Sequence, residues 1–276
     1  MKIRKPFVAG KFYPSDKNEL KNLISKIRET ELDLIKLNLS ENKIIGGIVP
    51  HAGYVYSAYQ AIHFFEILRA SKQKFDTFII INPDHNGYGN EINLDTNDAW
   101  QTPLGTVETD TEITELLNFE RSEEAHKYEH SGEVILPLLQ YFTDYDFKIV
   151  PITVSNQNYY NAQIIANNIN SAKLKTNRKI CILASTDFSH YVNPEYGKKQ
   201  DTKAFNEIFN FNAEQLIKTV KQEKISMCGY GPVAGLLEYA KIVSEKPEIK
   251  LLKYGNSGEA YPSDKVVDYA SFLIYE

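Results

Sequence analysis

The sequence predicts an α/β fold: a mostly parallel central sheet with helices packed on both of its faces. Three observations carry that expectation. Short apolar runs alternate with segments of helical spacing, the order that builds βαβ units. The runs are apolar throughout rather than at every second residue, which fits strands covered on both sides. Several of them end in a polar loop that holds histidine or aspartate, on the side of an open α/β sheet where ligands sit.

KIIGGIVP (Lys43–Pro50) is a β-branched run that breaks into HAGYVYS, after which AYQAIHFFEILRA reads as a helix. FDTFIIINP (Phe75–Pro83) is the next strand and ends in DHNGYGN. EHSGEVILPLLQY (Glu129–Tyr141) puts His130 and Glu133 at the start of an apolar helical segment. FKIVPITV (Phe147–Val154) ends in SNQN, before the helically spaced YYNAQIIANNIN. KICILAS (Lys179–Ser185) ends in TDFSHYVNP. In MCGYGPVAGLLEYAK, Gly229, Gly231 and Pro232 introduce another helix, and IKLLKYG and VVDYASFLIYE read as two late strands. No repeat or low-complexity linker interrupts the chain, so residues 1–276 are expected to form one domain.

Composition excludes several function classes. The chain is 42% hydrophobic and 24% charged, an ordinary globular balance. Its 36 acidic and 31 basic residues leave a net charge of -5, with no basic run for a phosphate backbone or an anionic membrane, so neither nucleic acid nor membrane is expected as a partner. No stretch approaches the roughly 18 apolar residues of a membrane span, and MKIRKPFVAGKFYP contains no apolar core of a secretory signal. Two cysteines, Cys181 and Cys228, make no disulfide framework, so a cytoplasmic location is expected.

The titratable residues at strand exits carry the chemistry. His51 follows Pro50 and precedes Gly53; His85 stands in NPDHNG. A neutral imidazole there can offer one ring nitrogen to a metal while a neighbour fixes the other, although a loop histidine bonded to backbone is the plainer reading. Asp187 and His190, three apart in STDFSHY, can share a pocket suited to proton transfer, whereas Asp187 could instead cap a helix. Cys228 precedes a helix, whose dipole favours thiolate. The alternative is a small apolar side chain under a turn, and for Cys181, in mid-strand, that alternative is preferred. His126 is expected to be solvated, and His63 to be an ordinary helix residue. No Cys-x-x-Cys pair, His-Glu-x-x-His helix, Gly-x-Ser-x-Gly elbow or phosphate-cradling loop is present.

Seven segments occur together in a familiar order: AGKFYP, VPHAGYVYSA, NPDHNGYG, WQTPLGTVETD, EHSGEVILPLLQY, STDFSHY and CGYGPVAGLL. From about residue 4 to its end, the chain in this respect resembles the MEMO family, which includes mediator of cell motility and the AmmeMemoRadiSam system protein B chains. The resemblance implies a single αβα sandwich like that of class III extradiol dioxygenases. It implies one metal ion held by His51, His85 and Cys228, with Fe(II) the first expectation and Cu or Zn the alternatives. It further implies that His190, with Asp187 nearby, matches an acid–base histidine, and that His130 lines the same pocket. Asn86, where many relatives carry a second histidine, and Ser189 and Tyr191 depart from the family pattern.

Three functions follow as expectations. The first is a mononuclear Fe or Cu site with redox, dioxygenase-like activity. The second is a non-catalytic module that binds a peptide, a small aromatic ligand or a partner protein; radical-SAM and AMMECR-type proteins are partners by family association. The third is a hydrolase using Zn or the Cys228 thiol.

Overall fold

The computed structural model describes residues 1–276. In chain order the first strands and helices are β1 (Ile3–Arg4), α1 (Lys17–Glu31), β2 (Ile44–Val49), α2 (Tyr54–Ala70), β3 (Thr77–Pro83), β4 (Ile92–Leu94), β5 (Ala99–Thr102) and β6 (Gly105–Glu108). Then come α3 (Thr111–Leu116), β7 (Glu120–Arg121), α4 (Glu123–Lys127), α5 (Ile135–Phe142), β8 (Lys148–Val154) and α6 (Tyr159–Thr176). The last are β9 (Ile180–Ser185), β10 (His190–Val192), α7 (Pro194–Phe209), α8 (Ala213–Gln222), α9 (Tyr230–Val243), β11 (Glu248–Asn256) and β12 (Val266–Tyr275).

The main sheet runs β10-β12-β2-β9-β3-β8-β4-β7, with β11 paired to β12; β1, β5 and β6 form a small second sheet. Its centre, β2-β9-β3-β8, is parallel. Around that centre β12 joins β2, β11 joins β12, and β4 joins β8, all antiparallel. The sheet is therefore mixed, which corrects the expectation of a mostly parallel one. The late runs were legible as strands, but their direction depends on pairing partners that a strand's own residues do not specify.

The central strands are covered on both faces. In β3, Phe78 and Ile80 pack with α1, α2 and α5, while Ile79 and Ile81 pack with α6, α8 and α9. That alternation is the period of two of an extended chain, with each face met by its own helical layer. The crossover from β2 to β3 carries α2 over one face, and that from β8 to β9 returns with α6 over the other. Opposite directions of advance place the two helices on opposite faces under the right-handed crossover rule. Gly46 and Gly47 make the close layers feasible: a Cβ at Gly47 would overlap the Phe64 ring of α2, and one at Gly46 the Ile182 carbonyl of β9.

No helix is long and apolar enough to cross a membrane. Cys181 is buried in mid-strand, as expected. His63 lies in α2 but is also buried, with Nε2 2.9 Å from Glu31. His126 corrects the expectation of a solvated residue. It is fully buried, its Nε2 lies 3.1 Å from the Asn93 carbonyl, and its Nδ1 lies 3.2 Å from Thr153 Oγ1. Both partners come from strands distant in sequence, so nothing near His126 announces them.

Candidate metal centre

All four parallel strands deliver residues to one place from their carboxyl ends. β2 exits through Pro50 into His51, β3 into His85, and β9 into Thr186, Asp187 and His190. The loop after β8 supplies Gln157. Cys228 comes from the turn ahead of α9, and three contacts hold that turn against the ends of β9 and β8. The Cys228 N–H donates to the Asp187 carbonyl at 3.2 Å. Gly229 N–H donates to Thr186 Oγ1 at 2.9 Å, and Gln157 Nε2 donates to the Cys228 carbonyl at 2.8 Å. Gly229 permits the approach, since a Cβ there would overlap the Ser185 carbonyl.

His51, His85 and Cys228 each offer a ligand atom, and the three atoms lie within 4.8 Å of one another. Cys228 Sγ stands 3.4 Å from His51 Nε2. The hydrogen bonds behind the rings determine which nitrogens are free. Ser185 Oγ donates its only proton to the Ser131 carbonyl at 2.8 Å, so toward His51 Nδ1, 2.7 Å away, it accepts. His51 is thereby held as the Nδ1–H tautomer with a bare Nε2 facing the sulfur. His85 Nδ1 donates to Glu129 Oε1 at 2.9 Å, again leaving Nε2 free. This is the arrangement in which an orienting acceptor turns an imidazole into a metal ligand.

Burial keeps two of the ring systems, His51 and His130, neutral, while His85 is drawn toward its charged form. Burial, with the neighbouring His130, His85 and His190, pushes His51 well below the ordinary histidine value. Burial, then His85, brings His130 down to about 4 despite the charge of Glu129. Burial works against ionised Glu129, but the His85 hydrogen bond and the His85 and His130 charges outweigh it and hold the carboxyl at about 2. For His85, burial is likewise outweighed by Glu129, and its pKa is raised. Burial raises Asp187 to about 6, while its Oδ1 accepts from the His51 N–H at 2.9 Å. Asp187 caps no helix.

The dipole expectation for Cys228 fails. Burial, then the charge of Asp187, pushes the thiol upward. Cys228 precedes Gly229, the residue that caps α9, and the Asp187 N–H reaching Sγ at 3.1 Å does not offset desolvation. Deprotonation here calls for a cation at the sulfur rather than for the helix.

His190 and His130 enter the same cavity of about 650 Å³, whose other walls include Phe12, Tyr56, Tyr261 and Tyr269. The His190 Nδ1–H donates to the carbonyls of Phe188 and Ser226 at 2.6 and 2.7 Å, which leaves Nε2 for the cavity. His130 rests 4.6 Å from His85 between ring centroids, with Nδ1 3.4 Å from Glu129 Oε1. It lies in the turn ahead of α5 rather than in the helix. The six predicted site residues thus come together. Sequence reasoning missed Glu129, Ser185 and Gln157. The first two were visible only as neighbours of named motif residues, and the third carried no signal.

A depressed carboxyl stabilises the folded chain at pH values above its ordinary value of 4.5, and that contribution is lost as pH falls through about 2. The lowered His130 acts in the same sense at higher pH, its contribution falling away from 6.5 down through about 4. Thermal unfolding of the metal-free protein from pH 7 to 2 should therefore show acid destabilisation. In Glu129→Gln the loss below pH 4.5 should be shallower; parallel profiles would refute this role of Glu129.

The profile of the Memo-like protein family matches residues 4–273. A MEMO1 family protein of Methanococcoides burtonii is 37% identical over 275 residues, covering 99% of this chain and 100% of its own. Another from Methanothermobacter thermautotrophicus is 38% identical, covering 97% of this chain and 99% of its own. Among solved structures, an uncharacterized protein from Escherichia coli K12 superposes with a TM-score of 0.54 at 10% identity, covering 84% of this chain and 99% of that one. At that identity the likeness concerns the fold alone.

Proposed function

The chain belongs to the Memo-like protein family, and from that premise we propose that it is a mononuclear metal protein whose ion is held by His51, His85 and Cys228. One observation carries the reading: two imidazoles, each with its Nδ1–H engaged by an acceptor behind it, turn bare Nε2 atoms toward one thiol. The donor set fits a first-row transition ion. Imidazole suits Fe, Cu and Zn, and a thiolate in place of a carboxylate shifts the preference toward softer ions. We assign Fe(II) or Cu, and a redox reaction.

The bound ion would supply electron transfer and Lewis acidity toward a substrate lodged in the cavity. The chain's own residues do the rest. His190 keeps its Nδ1 proton on two carbonyls, so its Nε2 can take a proton from a substrate hydroxyl and return it, with the carbonyls stabilising the charged ring. Asp187 anchors the His51 backbone and stands 3.9 Å from His51 Nε2. Phe12, Tyr56 and Tyr261 line the cavity and offer aromatic surface to a substrate beside the reacting groups. The raised Cys228 thiol argues against a cysteine nucleophile, because that role needs thiolate in the absence of metal.

Anaerobic titration with Fe(II), and separately with Cu(I), tests the proposal. Saturable uptake of one equivalent per chain is expected. Absence of saturable binding by either ion contradicts it.

A further inference from the structure

At the opposite end of the sheet, where the parallel strands begin, lies a second cavity of about 740 Å³. Six cations line it: Lys43, Lys72, Lys74, Lys173, Arg178 and Lys179, and no acidic residue does. That concentration stands out in a chain with a net charge of -5. Lys43 pairs with Glu276, and Arg178 with Asp110 and Glu112. Lys72, Lys74, Lys173 and Lys179 form no ion pair.

Two features separate this cluster from a solvated surface. Tyr239, 1% exposed, lines the cavity, and its hydroxyl is buried without a hydrogen-bond partner. The hydroxyl is sealed from the cavity, so the Tyr239 ring is what forms the wall, and Lys173 Nζ lies 5.9 Å from its centroid. Burial, then the charge of Lys43, also lowers the pKa of Lys173, so this lysine is partly withdrawn from solvent and carries no acidic partner. Lys173 lies in the last turn of α6, where the helix dipole alone would account for it. Lys74 Nζ lies 5.5 Å from the centroid of the Tyr145 ring, whereas Lys72 and Lys179 lie outside helices and have no such account. Apart from Gln73 and Asn177, the remaining wall is apolar, with Ile44, Phe75 and Val243. The volume is that of a small-molecule site.

We infer that this cavity binds a phosphorylated organic anion, its phosphates met by the lysines and its body lying on the apolar wall, at a site separate from the metal centre. A nucleotide has that chemistry: several negative charges beside a flat apolar body. The inference is independent of the metal proposal, since the two sites occupy opposite ends of the strands.

The test is calorimetric titration of the full chain with ATP, run beside Lys72→Glu/Lys179→Glu, in which two exposed residues with no ion pair are reversed. Unchanged thermal unfolding and unchanged Fe(II) uptake show that this variant is intact. The expected result is saturable binding to the wild type that weakens as salt rises and falls at least tenfold in the double variant. Absence of saturable ATP binding, or a loss smaller than tenfold in the double variant, overturns the inference.

Discussion

Cys228→Ser is expected to lower metal affinity by more than 100-fold while leaving the fold intact. The comparison that sets this scale is the loss of a partner that merely orients a ligand, which costs roughly 10–100-fold. Removing the ligand itself should cost more, because a serine hydroxyl is neither anionic at neutral pH nor as polarisable as thiolate. The substitution is nearly isosteric, and the turn that carries it is held through backbone groups and Gln157, so unfolding should change little. Metal analysis after anaerobic loading, with a thermal unfolding scan on the same samples, separates the two effects. Retained stoichiometry and affinity in Cys228→Ser would mean that the sulfur is not a ligand.

Glu133→Ala should destabilise the protein by about 3–5 kcal/mol, the scale for breaking a buried ion pair from one side. Glu133 is 1% exposed and meets Arg4 at 2.7 Å, itself 4% exposed. Its carboxylate also accepts from the N–H groups of Phe7 and Val8 and from the Tyr13 hydroxyl. Truncation therefore leaves a buried guanidinium, two backbone donors and a phenol short of an acceptor. Arg4 would keep the carbonyls of His126 and Glu129, at 2.8 and 2.7 Å, and its place over the Trp100 ring. Those are neutral partners and do not balance the charge. Because Arg4 also holds the Glu129 backbone, the loosening should reach the carboxylate that orients His85. Urea unfolding measures the loss; a change below about 1 kcal/mol would show that the Arg4 network tolerates the gap.

This network explains why the AGKFYP and EHSGEV segments occur together in one chain. Tyr13 and Glu133 lie 120 residues apart yet share a hydrogen bond. The sequence displays both motifs without displaying that they touch.

The central strands were legible because burial on both faces leaves unbroken apolar runs, as in FIII of β3 and CILA of β9; of the helices, α2, α5, α6 and α9 were read and α1, α3, α4, α7 and α8 were not. The six site residues were legible because each stands at a strand exit or a glycine-marked turn. What was hidden depends on distant pairing. The antiparallel flanks follow from partners, not from the composition of β11 or β12. The short strands β4 and β7 are too brief to carry a periodic signal. Helix α2 begins at Tyr54, inside the segment read as a loop, because Gly53 starts the helix without a side-chain cap. The state of the Cys228 thiol was misjudged because a helix dipole can be inferred from sequence, whereas desolvation by packed neighbours cannot.

X-ray absorption at the metal edge of anaerobically loaded wild-type protein tests the proposed centre most directly. One sulfur scatterer at about 2.3 Å and two imidazole nitrogens near 2.0–2.1 Å are expected, distances typical of such ligands on a divalent ion. A spectrum with nitrogen and oxygen neighbours but no sulfur would contradict a centre that includes Cys228.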